Sequence, residues 1–230
     1  MERTLGRQEA SDAVSDLGWR YLLGALRTSV PVGSLTRAAE AATAAVAACG
    51  DDADQHLRVD LRPERVVLTL QSLDRAALTA RDTELAHLIS ASVRAAGLRT
   101  LPETGTAAAR SVQILEIAVD ALDIAAVRPF WKAVFGYTDE PGADGPEDPL
   151  VDPVGQGPAI WFQQMDRPRP QRNRIHFDVC VPHDEASRRI EAALAAGGRL
   201  VSATRAPAFW VLADAEENEV CVTTWQGREG

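Results

Sequence analysis

Two of the four histidines lie in strand-like segments beside carboxylates, where an imidazole could exchange protons near neutral pH. His56 begins the stretch "HLRVD", and His176 is followed two residues later by Asp178 in "IHFDV". His87 falls inside a helical pattern and His183 in a Pro-His-Asp turn, so both are assigned to packing or surface roles. For His56, the residues alone leave open whether it belongs to a catalytic pair or closes a surface turn.

Composition narrows the class of protein. The 230 residues carry a formal net charge of −9, and no basic stripe is present, which argues against nucleic-acid binding. No apolar run approaches the ~20 residues of a membrane span, and the charged N-terminus resembles no secretory signal. Three widely spaced cysteines do not make a disulfide framework. We therefore expect a cytoplasmic protein, with each cysteine a small buried packing residue.

The chain is predicted to fold as two α+β domains. The Pro-, Gly- and Thr-rich stretch 101–111 is the linker candidate, between a domain at 1–100 and another at 112–230. In the first, Ser34 and Thr79 are predicted N-caps of helices, and residues 65–72 alternate like a strand. Asp82 stands three residues after Thr79, close to a capping box, so the helix dipole alone would explain its carboxylate.

The second part contains an internal repeat. Strands at 114–119 and 174–179 are each followed by a helix, at 124–135 and 184–196, and then by further short strands. Pro129 is expected to kink the first helix or delay its start. Two strand–helix–strands copies predict a pseudo-symmetric fold with a site between the halves.

Residues 11–98 resemble the pterin-4a-carbinolamine dehydratases. The resemblance rests on Gly18-Trp19, the Ala-rich helix, "QHLRVDLRPERVVLTLQSLD" and "LTARDTELAHLI". It implies removal of water from a 4a-hydroxytetrahydropterin, which needs an acid for the leaving hydroxide and a base for the ring N–H. The family's His-His-Pro becomes Gln55-His56-Leu57 here, and Leu73 replaces the histidine of Thr-His-Asp.

This resemblance assigns catalysis to His56, Asp74 and Asp82, with Gln55 a ligand-binding residue. Gln55 can exchange hydrogen bonds but no proton, and Leu73 can do neither. Groups that act as one unit lose activity steeply when members are removed. We therefore expect a pterin-like pocket that binds without efficient turnover.

Residues 112–226 resemble glyoxalase-like members of the vicinal oxygen chelate superfamily. The matching pieces are "ILEIAVDALD", "PFWKAVFGY", "AIWFQQM", "NRIHFDVCV" and "DAEENEVCVTTW". The resemblance implies paired βαβββ modules around a cup, with four inward side chains holding a divalent metal. Its ligand positions fall on Glu116, Trp161, His176 and Cys221.

An indole offers no lone pair, and a thiolate is an unusual partner for a carboxylate and an imidazole. We therefore expect no metal and no cofactor. These four residues would instead bind a small molecule, with Trp161, Trp210 and Phe162 as an aromatic wall and Asp178 orienting the imidazole. A buried pair between Glu116 and His176 is the alternative.

The sequence thus predicts a two-domain protein that binds a small, pterin-like heterocycle and forms a homodimer or higher homo-oligomer. Neither nucleic acid nor a membrane is an expected partner. An active dehydratase that uses His56 and an assembly protein without a ligand are the alternatives.

Overall fold

The chain forms two compact units, Met1–Ile114 and Leu115–Gly230. A computed structural model describes residues 3–103, 111–168 and 175–227. Most of the expected linker, residues 104–110, lies outside the described residues, as does Arg174 at the start of an expected strand. Leu101 pairs with Ser29 as an isolated bridge, so the described start of the expected linker contacts the first unit's sheet.

Helices cover one antiparallel sheet in the first unit. Its elements are α1 (Arg7–Val14), β1 (Arg20–Leu22), β2 (Ala25–Pro31), α2 (Leu35–Cys49), α3 (Ala53–His56), β3 (Leu57–Arg62), β4 (Arg65–Leu70) and α4 (Ala80–Ala95). The strands are ordered β1-β2-β4-β3. The alternation of β4 places Val66, Leu68 and Leu70 in the core, against the buried face of α2 and α4.

The predicted helix starts in this unit are confirmed. Ser34 precedes α2, and its side chain accepts from the backbone N–H of Arg37. Thr79 and Asp82 form the full capping box of α4. Leu88 of α4 is 46% exposed, whereas Leu85, Ala86, Ile89 and Val93 lie on the buried face of the helix.

Gly18 makes the turn between α1 and β1. Its φ of +81° is left-handed, and a Cβ there would lie 2.3 Å from the carbonyl oxygen of Thr100. The next residue, Trp19, is fully buried and donates its indole N–H to the hydroxyl of Ser90 at 2.9 Å. Glycine is thus required where Trp19 enters the core.

The second unit consists of two βαβββ modules. The first has β5 (Glu116–Ala121), α5 (Ile124–Phe135), β6 (Thr138–Asp139), β7 (Leu150–Val151) and β8 (Ala159–Gln164). The second has β9 (Phe177–Cys180), α6 (Ala186–Ala195), β10 (Arg199–Arg205), β11 (Phe209–Ala213) and β12 (Glu219–Thr223).

Strand order is the same in both modules. The sheets run β5-β8-β7-β6 and β9-β12-β11-β10, and in each the first strand pairs in parallel with the fourth. One aromatic and aliphatic core lies under both, centred on Phe130 and Trp131 of α5. This confirms the predicted α+β class and the internal repeat. Helix α5 begins at Ile124 with Pro129 inside it, so the proline does not delay its start.

Two packing expectations for this unit are wrong. Cys180 is exposed rather than buried, because strand β9 alternates and turns that residue away from the core. Phe162 is buried in the core rather than lining a wall, because it alternates with the outward Trp161 on β8. In the part of the chain that the structure describes, no helix has the length and apolarity to cross a bilayer.

Candidate functional site

His56 is the last residue of the short helix α3 and is 9% exposed. The strand that follows pairs with β4, and the carbonyl oxygen of His56 accepts from the backbone N–H of Gln71. Its Nδ1 lies 2.8 Å from Oδ1 of Asp82. The alternative of a surface turn is therefore wrong, because His56 is buried and paired with a carboxylate.

Asp82 is fully buried and uses both carboxylate oxygens. While Oδ1 contacts His56, Oδ2 accepts from the Ser72 hydroxyl at 2.8 Å, the Thr79 backbone N–H at 2.7 Å and the Thr79 hydroxyl at 3.0 Å. A buried carboxylate needs such donors to offset its desolvation. Asp82 is consequently held in one position while it caps α4.

This contact orients the imidazole and favours one tautomer of the neutral ring. A carboxylate only accepts, so Nδ1 of His56 carries the proton and donates. In the neutral ring, Nε2 is then an acceptor. Among the described residues, none forms a hydrogen bond with Nε2, and 11% of the side chain is exposed. His56 is thus oriented by its partner, and its Nε2 is available for a further hydrogen bond.

Ser72 was missed by the sequence analysis, although a signal existed. It extends the alternation of the buried Val66, Leu68 and Leu70, so period 2 places its side chain on the core face. A buried serine needs a polar partner. The Ser72 hydroxyl donates to Asp82 and lies 3.2 Å from the Thr79 hydroxyl.

The other two predicted residues of this site are placed differently. The side chain of Gln55 is exposed. The backbone carbonyl oxygen of Gln55 accepts from the backbone N–H of Leu73. Asp74 has a side chain 69% exposed and pairs with Arg75 at 3.1 Å. The Arg75 guanidinium lowers the pKa of the Asp74 carboxyl by hydrogen bonding. The structure therefore places His56 in contact with Asp82, whereas Asp74 pairs with Arg75 outside the hydrogen-bond network of Asp82.

In the second unit, Glu116 and Trp161 lie on the face of the first module opposite the core. Glu116 is exposed at the start of β5, and Trp161 on β8 is 36% exposed beside Ala118. Burial raises the pKa of Glu140, and the nearby charges of Glu116 and Asp148 add to this shift. Glu116 thus stands in an acidic environment.

His176, Asp178 and Cys221 come together in the second module. Cys221 of β12 is the register partner of Asp178 on β9, and His176 lies two residues before Asp178 on the same face. One donor atom from each lies within 4.8 Å of the other two. His176 and Glu116 are both exposed, so the alternative of a buried pair between them is wrong.

The four ligand positions that the chelate resemblance implies do not fit a metal as a set. Trp161 supplies no lone pair. Within the described ranges, the one group of three candidate donors leaves Glu116 out and includes Asp178, a residue outside those four positions. Imidazole, carboxylate and thiolate are each Zn²⁺ ligands, so the smaller set does fit. The expectation that this unit binds no metal stays a prediction.

Comparisons with known proteins point to the second unit. The Glyoxalase-like domain family matches residues 116–223. A comparison with curated proteins gives no match.

Several solved structures are similar to parts of the chain. A glyoxalase/bleomycin resistance protein/dioxygenase family enzyme from Burkholderia phytofirmans is 18% identical, over 47% of this chain and 95% of its own, with a TM-score of 0.39. The fosfomycin resistance protein FosX from Listeria monocytogenes is 13% identical, over 52% and 100%, with a TM-score of 0.39. A transcriptional coactivator/pterin dehydratase from Brucella melitensis is 24% identical, over 39% and 98%, with a TM-score of 0.34.

The family match spans both βαβββ modules, from the first residue of β5 to the last of β12. Sequence and topology agree on the same boundaries. Residues 116–223 are therefore a glyoxalase-like domain.

Proposed function

We propose that the protein binds a small heterocycle of pterin type in its first unit, with His56 contacting the ligand and Asp82 holding His56 in place. The single observation that carries this proposal is the 2.8 Å contact between Nδ1 of His56 and the fully buried Asp82. A ring fixed in this way presents Nε2 to a ligand N–H or hydroxyl without the entropy cost of orienting a free side chain.

Efficient dehydration is not part of the proposal. Water loss needs an acid for the hydroxide and a base for the N–H proton. Positions 55 and 73 carry glutamine and leucine, and neither side chain titrates near neutral pH. Both roles would fall on His56 alone, so binding without rapid turnover is the expected behaviour.

Calorimetric titration of the full chain with dihydrobiopterin tests this binding. We expect one ligand per chain, with His56→Ala weakening the affinity at least about tenfold, which is the loss of one hydrogen bond to a buried partner. His87→Ala is the matched control, because His87 is exposed on α4. No binding, or the same affinity in wild type and His56→Ala, would reject the proposal.

A second candidate is slow dehydratase activity, which the assembled His56–Asp82 pair favours. Stopped-flow absorbance on a 4a-hydroxytetrahydropterin measures it. A rate above the uncatalysed one that falls in His56→Ala would establish this activity. A rate that the substitution leaves unchanged would exclude it.

For the second unit, we propose that the outward face around Trp161 and Glu116 contacts a planar ligand. An indole 36% exposed on a strand can stack on such a ligand at little ordering cost. The test compares tryptophan quenching in wild type and Trp161→Phe against a panel of heterocycles. Quenching that survives the substitution would place the ligand elsewhere.

Self-association remains a proposal as well. Strand β3 lies at the edge of the first sheet, and its burial pattern leaves Arg58 and residues 60–62 exposed. An edge strand with free backbone groups can pair with a second copy. Light scattering on the full chain gives the mass directly, and a monomer across the concentration range would contradict the expected homo-oligomer.

A further inference from the structure

We propose that the face of the first sheet that points away from the helices is a docking surface for an extended acidic segment of a partner protein. The outward side chains of its four strands include five arginines: Arg20 on β1, Arg27 on β2, Arg58 and Arg62 on β3, and Arg65 on β4. We call this surface the arginine face. The inference is independent of the ligand proposed for His56, whose partner Asp82 belongs to helix α4 on the other side of the sheet.

The strand register places the arginines on one side of the sheet. The even-numbered residues of β4 point into the core, so the odd-numbered ones face outward. Thr69 therefore faces outward, and its register partners are Arg27 on β2 and Arg58 on β3. Arg20 on β1 is in turn opposite Arg27. Three arginines thus lie in one row across the whole sheet, at strand spacings of about 4.8 Å.

The charge of this face is the reverse of the charge of the chain. The whole sequence has 33 Asp and Glu against 24 Lys and Arg. At the outward positions of the four strands there is one carboxylate, Asp60, and Glu64 lies in the turn between β3 and β4. Folding collects the arginines from four separate strands, so the sequence itself shows no basic stripe.

Two pairs of arginines on this face lie directly opposite each other. Arg20 is the register partner of Arg27, and Arg62 is the register partner of Arg65. Like charges in such positions destabilise a sheet. Each arginine of the second pair has a nearby carboxylate, whereas Arg20 donates to two backbone carbonyl oxygens, which carry no full charge. Departures from the rules of local stability are expected at functional surfaces.

Polar atoms of this face are left without partners by the folded unit. Arg58 is exposed and, among the described residues, forms no hydrogen bond or ion pair. The buried Ser29 Oγ and Arg65 Nε also have no hydrogen-bond partner in the described part of the chain. Buried polar atoms are ordinarily satisfied. The Arg58 guanidinium can donate to a carboxylate through two parallel hydrogen bonds, and it has nothing to offer to another cation.

The spacing of the row fits an extended peptide. Three strand intervals separate Arg20 from Arg58, so the row is about 14 Å long. In an extended chain, side chains on the same side repeat about every 6.6–7 Å. A stretch of about five residues with acidic side chains at alternate positions therefore spans the row.

The charge of the whole chain decides against a nucleic acid as the partner. Duplex DNA carries one negative charge per about 1.7 Å of its axis, so it would extend beyond the arginine face. It would then lie over a protein whose formal net charge is −9, where repulsion acts over about 8–10 Å at physiological salt. A short acidic segment stays within the face and avoids this repulsion.

Fluorescence anisotropy on the full chain tests the surface. The probe is a fluorescein-labelled peptide of alternating glutamate and serine, about nine residues long, which is long enough to cross the row. The control peptide has glutamine in place of each glutamate. We expect the glutamate peptide to bind, and its affinity to fall at least about fivefold between about 50 and 200 mM NaCl, because salt screens exposed charges. The glutamine peptide should not bind.

Charge reversal locates the surface. Arg58→Glu/Arg62→Glu changes two exposed side chains, so the fold should be retained while the affinity drops at least about tenfold. The single variant Arg58→Gln should weaken binding about two- to fivefold, the effect of one surface ion pair. Arg7→Glu/Arg94→Glu is the matched control, because it makes the same change in net charge on α1 and α4, which pack on the other side of the sheet. Circular dichroism checks the fold of each variant.

The proposal fails if the glutamate peptide does not bind, or if the Arg58 variants bind it as tightly as wild type does. An equal loss in the control variant would also reject it, since net charge alone would then explain the attraction. Tighter binding of a single-stranded oligonucleotide with as many charges as the peptide would make the partner a nucleic acid instead. An oligomer that Arg58→Glu/Arg62→Glu dissociates, measured by light scattering, would show that a second copy covers the face. None of these measurements involves dihydrobiopterin, so failure of either proposal leaves the other standing.

Discussion

Asp82 is at once the third residue of helix α4, where it completes the capping box with Thr79, and the partner of His56 at 2.8 Å. A single carboxylate thus links the start of a helix to the imidazole that ends α3. The start of α4 and the orientation of the His56 ring therefore depend on the same buried carboxylate.

Replacing Asp82 with asparagine should affect both properties. The amide has one acceptor oxygen instead of two and introduces donors facing Ser72 and Thr79. We expect the free energy of unfolding to fall by about 1–3 kcal/mol, and binding of dihydrobiopterin to weaken with it. Asp16→Asn is the control, because that side chain is exposed elsewhere in the first unit. Chemical denaturation and calorimetry measure the two effects, and equal results for both variants would contradict the assigned role.

Restoring the missing histidines should raise turnover. In the double variant Gln55→His/Leu73→His, two titratable groups return beside His56, so acid and base roles are divided again. General acid–base catalysis contributes about 10²–10⁴-fold to a rate. We expect dehydration of a 4a-hydroxytetrahydropterin to accelerate by at least the lower figure. A well-folded double variant with no gain would show that positions 55 and 73 do not face the ligand.

Low pH should destabilise the second unit through Asp139. Hydrogen bonds from Lys132 and Arg128 lower the pKa of this carboxyl below its ordinary 3.8. A pKa lower in the folded than in the unfolded state contributes stability above the unfolded value, and this is lost as pH falls through the folded one. We expect unfolding temperatures to drop below about pH 4, and less steeply in Asp139→Asn.

The control for this effect is Asp184→Asn, at an exposed position of the same unit. Differential scanning calorimetry measures the unfolding temperature between about pH 2 and pH 6, at intervals of about half a pH unit, which spans the range in which Asp139 becomes protonated. An identical pH profile in wild type and Asp139→Asn would show that the Lys132 and Arg128 contacts carry no net stability.

Loss of the Trp131 indole N–H should lower the stability of the second unit. Its N–H donates at 2.9 Å to Oδ2 of Asp214, a carboxylate that is 2% exposed. Trp131→Phe removes that donor and leaves a cavity, so we expect the second unit to lose about 1–3 kcal/mol or more of unfolding free energy. Trp225→Phe is the control at 68% exposure, with an expected change near zero. Urea denaturation followed by circular dichroism compares them.

Local patterns predicted much of the fold. Helix α5 has the bounds expected from the sequence, and the strand-and-helix repeat shows up as two identical strand orders. The short helix α1 was missed, because two buried residues, Ala10 and Val14, are too few to make a clear stripe. Strand β10 was missed since six of its seven residues are exposed and it lacks alternation.

The candidate sites were predictable only in part, because their partners are distant in the chain. Asp82 follows His56 by 26 residues and lies on α4, so their contact depends on how α3 and α4 pack at the ends of β3 and β4. Asp178 was expected to orient His176, yet its proximity to Cys221 depends on the parallel pairing of β9 with β12. Periodicity assigns a face to each residue but does not choose which strands become neighbours.

In each βαβββ module the first strand takes the last as its parallel partner. During synthesis, β5 and β9 must therefore wait unpaired until the ribosome has delivered the whole of their module. Pairing between strands that are distant in the sequence slows folding, and it leaves unpaired strand edges exposed in the nascent chain. We therefore expect aggregation of this unit to be favoured most in the intervals between the synthesis of β5 and β8 and between that of β9 and β12.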